Sequence, residues 1–295
     1  ATASTMTATA PPTTDSSWVG HVAAPSGVLG PVTTVAVDPE SVGVGWDGST
    51  YTIPTGFTWD ESVDGGYLLF DRGRALITGN GVSISGALFD NIIASPNAVV
   101  SAGSGVGAFT LSHFRVVGGR GSAAVGGSVG RGNGSVISNF EILRFDGDGI
   151  KPMISSTITD GYINVVYRPG SAKHYDGVQV TGRSGVTLAR LRFRLDGRDN
   201  LNSAIFIQRN PNTGAKSDNT TITDIDVEYA PYSWYPIRIQ GGTVNARNIV
   251  GRGPKSADGK RPAALVLNSG QTGIDWTTIW TAFDQPVDKA KQIAK

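Results

Sequence analysis

The chain has no cysteine in its 295 residues, so neither a disulfide framework nor a thiolate metal site can form. The fold must therefore hold through burial and hydrogen bonds, and redox logic leaves its compartment open. Charge is scarce and balanced. Only 17% of residues are charged, and 25 basic residues face 24 acidic ones for a formal net charge of +1. That balance excludes a global electrostatic grip on nucleic acid or on an anionic membrane surface and leaves room only for a local basic cleft. Long apolar runs are missing too: none approaches the roughly 18 residues that a bilayer-spanning helix needs, so no membrane insertion is expected. The opening residues, ATASTMTATAPPTT, have neither the basic nor the apolar region of a signal peptide. Export is expected after removal of a signal or by another route, and residues 1–17 read as a flexible or extended lead-in.

What is present is glycine, 40 residues of it, with 39% hydrophobic residues. That mixture favours many short strands over long helices. Seven segments share one pattern and open at Ile84, Leu111, Ile137, Ile158, Leu188, Ile222 and Val244. Five residues on, each is apolar again, at Phe89, Val116, Ile142, Ile163, Phe193, Val227 and Ile249. The residue before that second apolar position is mostly polar or aromatic, as at Arg115, Glu141, Tyr162, Arg192, Asp226 and Asn248, which is the alternation of a half-buried strand. Successive openings lie 27, 26, 21, 30, 34 and 22 residues apart, the spacing of a solenoid coil with variable loops. A second series runs in step, with one inward residue per turn at Val99, Val125, Ile150, Val178, Ile205, Ile237 and Leu265. Two strand families per turn describe a coil in which each strand pairs with its copy above and below, at about 4.8 Å.

Over roughly residues 70–275 this pattern resembles the pectin-lyase-like superfamily of right-handed parallel β-helices. The resemblance implies an all-β, single-stranded right-handed solenoid of about 7 to 9 coils, its handedness supported by the rule for parallel crossovers. The expected organisation is a lead-in over 1–17, an N-terminal cap and first coil over 18–78, the β-helix over 79–275 and a C-terminal cap over 276–295. The cap regions carry Trp18, Trp46 and Trp59 at one end and, at the other, PVDKAKQIAK, which reads as a short basic helix covering the open sheet edges.

Outward side chains on neighbouring coils form ladders, and one polar cluster recurs across adjacent turns: FDGDGIKP, KHYDGVQV, NSAIFIQR and WYPIRIQGG. Asp148 and Asp176 both stand two residues before an inward residue, Ile150 and Val178, and so should be neighbours. Two carboxylates one strand apart cannot both ionise freely, so one is pushed toward the protonated form of a general acid. His174 lies beside them as base, sugar ligand or orienting group, while Lys151, Gln179 and Arg238 occupy matched outward positions able to neutralise developing charge. Tyr175, Phe206, Tyr232, Trp234 and Tyr235 offer flat faces for a pyranose, with Asp146, Gln208, Arg209 and Gln240 in the same patch.

Blander roles compete. Asp-Gly also turns corners, because Asp caps its own backbone and Gly supplies positive φ. Strict alternation from Ile150 turns Asp148 inward unless Gly149 marks a bend. His21 and His113 read as structural or exposed. The glycine-rich stretch from Gly121 to Ser135 lacks the Gly-Lys-Ser or Gly-Lys-Thr ending of a phosphate loop and reads as a coil corner. Asn133 and Asn219 fit the glycosylation triplet, which arises by chance in such turns. No ligand set for a metal or other cofactor stands out, although oxygens of Asp146, Asp148 and Asp176 could hold calcium.

The resemblance implies a carbohydrate substrate. In glycosidases of the polygalacturonase kind, stacked aspartates precede an Arg-Ile-Lys, and Asp148, Asp176 and Arg238 in RIQ look similar. The Gly-His-Gly segment of that kind is absent, with His174 standing in KHYDG instead. In β-helical lyases, which often use calcium, a Lys or Arg takes the proton beside a uronate carboxylate, a role suited to Lys151 and Arg238. The expectation is a polysaccharide hydrolase or lyase acting outside the cell. The alternative is a non-catalytic module of a phage tail fibre, tailspike or surface adhesin, on a virion or cell surface and homotrimeric.

Overall fold

The computed structural model describes residues 29–126, 131–166, 175–196, 201–229, 237–252, 265–267, 273–275 and 279–280. Among these, helix is confined to two four-residue turns, Pro39–Val42 and Glu61–Asp64, and the rest of the regular structure is strand. The strands pair almost entirely in parallel within one curled sheet. From Ser83 on, the chain alternates between two ladders. The first holds Ser83–Asp90, Thr110–Val117, the start of Val136–Lys151, Thr157–Val166, Thr187–Asp196, Thr220–Tyr229 and Val244–Arg252. The second holds Ala98–Ala102, Arg120–Gly126, the end of Val136–Lys151, Tyr175–Thr181, Leu201–Gln208, Ile237–Ile239 and Leu265–Leu267. Each pass of the chain adds one strand to each ladder, as the repeat demands.

In the first ladder the apolar openings stack as Ile84, Leu111, Ile137, Ile158, Leu188 and Ile222, all buried. An odd spacing of five residues between two inward positions contradicts strict alternation, and the backbone explains it. At one matched position each strand of this ladder has a residue in the left-handed region, namely Gly86, His113, Asn139, Asp160, Arg190, Asp224 and Asn248, and Val136–Lys151 has a second at Arg144. The matched residue reverses the parity, so in the first six segments positions three and five after the opening both point inward. The first of them forms a further buried column of Ala87, Phe114, Phe140, Leu191 and Ile225, interrupted by Gly161. Gly161 has no room for a side chain, because a Cβ there would meet the Phe140 ring. The last repeat departs from the expected register: Ile225, not Val227, lies opposite Ile249, and Thr220 opposite Val244. The slip is two residues, so the inward face is kept and apolar periodicity alone cannot detect it.

The second series stacks as expected from Val125 through Ile150, Val178, Ile205 and Ile237 to Leu265. Val125 pairs with Val100 rather than with Val99. Both valines are buried, so hydrophobicity does not separate them. Gly121–Gly126 lies within a strand of this ladder and not at a corner.

Parallel pairing already begins at Ala36–Val37, which pairs with Tyr67–Phe70, and continues at Thr50–Ile53, which stacks on Arg74–Ile77. Over it folds the antiparallel Gly45–Trp46, with the Trp46 and Tyr51 rings 4.6 Å apart. The buried Glu61 carboxylate accepts the Val32 and Thr33 amides and ties the incoming segment to the stack. Trp18, His21, most of residues 276–295 and the expected capping helix lie outside the described residues.

Candidate functional site

The outward face of the second ladder carries a register-matched column: Leu76, Ser101, Gly126, Lys151, Gln179, Phe206 and Arg238. Ile150 opposite Val178 sets Lys151 and Gln179 one coil apart, and Phe206 pairs with both Gln179 and Arg238. The Arg238 guanidinium lies 5.2 Å from the Phe206 ring centre, a cation–π contact, and with the Gln240 amide turned so that its oxygen faces the guanidinium, that oxygen accepts from Arg238 Nε at 2.8 Å.

A second column, Ala98, Ala123, Asp148, Asp176 and Ser203, runs beside it. Asp148 and Asp176 are neighbours: the Asp176 amide donates to Asp148 Oδ1 at 2.8 Å. They do not sit in turns. Both Asp-Gly pairs lie inside strands, and neither glycine has positive φ. Gly149 and Gly177 are glycine for lack of space. A Cβ on Gly149 would meet the Gly177 carbonyl and the Ile163 side chain, and one on Gly177 would lie 2.5 Å from both the Ala204 carbonyl and the Phe193 ring. These glycines face the core, and so do Ile150 and Val178 directly after them. Two consecutive inward positions break the alternation, and the aspartates are thereby turned to the same side as Lys151. The parity problem in the sequence is resolved by this bend.

Lys151 Nζ lies 2.8 Å from Asp148 Oδ2, with the two side chains 33% and 6% exposed. Asp176 is fully enclosed, at 0% exposure, and among the described residues no donor meets its carboxylate oxygens with good hydrogen-bond geometry, the Ser203 amide acting on them only weakly. Burial, reinforced by the charge of Asp148, pushes its pKa well above the usual carboxylate range. Lys151, the Ser203 amide and Arg238 oppose the shift without cancelling it. One carboxylate is thus ion-paired and its neighbour favours the neutral acid, the division of labour that acid-base chemistry between two carboxylates requires.

Asp148, Asp176, Lys151, Gln179, Phe206 and Arg238 therefore share one wall. Asp146 stands aside, 3.8 Å from Arg120. Gln208 donates to Thr181 Oγ1 at 3.1 Å, and Arg209 is exposed just past the same strand. Tyr175 is buried in the hydrophobic core. His174, Tyr232, Trp234 and Tyr235 lie outside the described residues. Among the described residues no group of three or more acidic or histidine side chains is arranged to hold a metal ion.

Sequence reasoning missed Ser203, which continues the aspartate column and whose buried hydroxyl has no partner among the described residues. It stands two residues before the inward Ile205, the same offset that singles out Asp148 and Asp176. Also missed was a cleft of about 480 Å³ on this face, lined by Arg74, Asn97, Ser101, Ser122, Arg131 and Lys151 among others. Arg74 and Arg131 belong to no motif, and only the stacking of coils joins them. No protein-family model, curated protein or solved structure matches the chain.

Proposed function

We propose that the protein is an extracellular or surface-borne polysaccharide-acting enzyme, built as a right-handed β-helix of the pectin-lyase-like kind. Alternation between two parallel ladders supports the coil, and parallel crossovers are right-handed in about 98% of cases. The glycan lies along the outward column from Leu76 to Arg238, seven coils that span about 29 Å at the strand spacing. The observation that carries the reading is the placing of Asp148, held by Lys151, beside a fully enclosed Asp176 whose pKa is raised by burial.

In this reading Asp176 donates its proton to the leaving sugar oxygen as the glycosidic bond breaks, and Asp148 stabilises the positive charge that develops on the sugar ring. Water then adds to the ring carbon and returns a proton to Asp176. Lys151, already engaged by a carboxylate, serves charge neutralisation better than proton abstraction, which favours hydrolysis over elimination. Proton delivery requires that the cover over Asp176 open when glycan binds. Arg238, stacked on Phe206, orients the chain at the far end of the wall.

A second reading is supported by one observation: Asp148 and Asp176 are only 4% and 0% exposed. A non-catalytic glycan-binding module, such as a trimeric phage tail fibre, tailspike or adhesin, would keep the same wall and use the carboxylates only in packing.

A polysaccharide panel assayed for both new reducing ends and ultraviolet-absorbing unsaturated products separates these readings. Cleavage of at least one polysaccharide, reduced about 100-fold or more in Asp148→Asn and Asp176→Asn, is the expected result. Binding without product from any member of the panel establishes the second reading instead.

A further inference from the structure

Where the second ladder begins, its outward wall is hollowed by the cleft of about 480 Å³. The floor is low because the residues along it are small: Ala98, Ser101 and Gly126, where a Cβ on Gly126 would lie 3.3 Å from the Lys151 Cβ. Three cations line the cleft, Arg74, Arg131 and Lys151, and no carboxylate is among its lining residues.

The two faces of the molecule treat cations differently. On the first ladder three arginines meet an acid on an adjacent coil, Arg115 lying 2.6 Å from Glu141, Arg190 2.6 Å from Asp160 and Arg192 3.9 Å from Asp226, while the exposed Arg247 reaches the Thr223 hydroxyl at 3.3 Å. In the cleft, Lys151 alone is ion-paired, and the partner is Asp148. Among the described residues Arg74 and Arg131 form no ion pair within 4.0 Å; Arg74 Nε reaches the Thr50 hydroxyl at 3.4 Å, and its charge acts on the Asp47 carboxylate from beyond ion-pair distance. The buried hydroxyl oxygen of Ser101, in the cleft wall, has no hydrogen-bond partner among the described residues. A hollow lined by three cations and by hydroxyl and amide groups, with no carboxylate among its lining residues, selects a ligand that brings oxygens and negative charge.

We infer that this cleft is an anchoring subsite for an oxyanion carried by the glycan, a carboxylate or a sulfate ester, held by Arg74 and Arg131 several coils away from Asp176. The inference rests on the reading that this wall takes a glycan, and it names the class of glycan. Lys151 joins the two regions, so an anion anchored at the arginines directs the neighbouring sugars toward the Asp148–Asp176 pair.

The test is equilibrium binding of polygalacturonate, dextran sulfate and neutral dextran to the full chain. The expected result is binding of at least one polyanion and not of dextran, with affinity falling about 100-fold in the double variant Arg74→Gln/Arg131→Gln. The charge-preserving Arg74→Lys/Arg131→Lys should keep most of the affinity, and Arg247→Gln, on the opposite ladder, should keep all of it. Whether polygalacturonate or dextran sulfate binds more tightly identifies the oxyanion. Affinity unchanged in the double Gln variant, or lowered equally by Arg247→Gln, overturns the subsite. Cleavage of a neutral glycan that neither polyanion inhibits removes the subsite and leaves the enzyme reading standing. Arginine-dependent polyanion binding with no cleavage of any polysaccharide keeps the subsite and removes catalysis.

Discussion

At the scale of the residue, Asp176 concentrates the chemistry and a measurable stability effect. Its folded-state pKa is raised above the ordinary value of 3.8, so the native state holds a proton that the unfolded chain has released across the intervening pH range. The stabilisation is fully present below that ordinary value and is lost as pH rises through the raised one. Replacement by Asn, a neutral isostere of the protonated acid, removes this loss. The stability of Asp176→Asn relative to wild type should therefore increase with pH above about 4, as read by urea unfolding across a pH series. A difference that is flat or shrinks with pH would show that Asp176 is not held neutral. The Asp-Gly pairs were readable in the sequence as a matched feature of two coils. Their burial was not, because it depends on what covers the wall.

At the scale of the element, the glycines record how closely the coils approach. Gly161→Ala should cost about 1–3 kcal/mol, because the new methyl meets the Phe140 ring across one coil spacing. Phe140→Leu should relieve most of that cost, so the double variant should be more stable than the two single losses added together, as measured in a thermodynamic cycle by chemical denaturation. Additive losses would place the strain elsewhere. The seven-segment repeat was legible because each opening residue must be apolar to fill the core. The left-handed residue in each strand was harder to read. It is Gly, His, Asn, Asp or Arg in different coils, so no single side chain marks it, and its effect appears only as a five-residue spacing that strict alternation forbids. The register slips at Val100 and at Ile249 went unread for a related reason. Val99 and Val100 are both buried, and a slip of two leaves the inward face of the last repeat unchanged.

At the scale of the whole molecule, each strand pairs only with the coils above and below it, so stability should be distributed coil by coil. Leu188→Ala should cost about 2–5 kcal/mol and remove hydrogen-exchange protection chiefly in the coils around residues 158–222, while amides near Ile53 and Ile84 keep theirs. A uniform loss along the chain would indicate a single cooperative core instead. The amino-acid sequence on its own determined the parallel, two-family coil and the alignment of Asp148, Lys151, Asp176 and Arg238, because apolar spacing dictates which residues must be buried and so which coils stack. The tertiary structure alone decided that Asp176 is enclosed and Asp148 ion-paired, and that Arg74 and Arg131 line one cleft. Those properties depend on distances between residues far apart in the chain, and no local pattern encodes the electrostatic surroundings that packing creates.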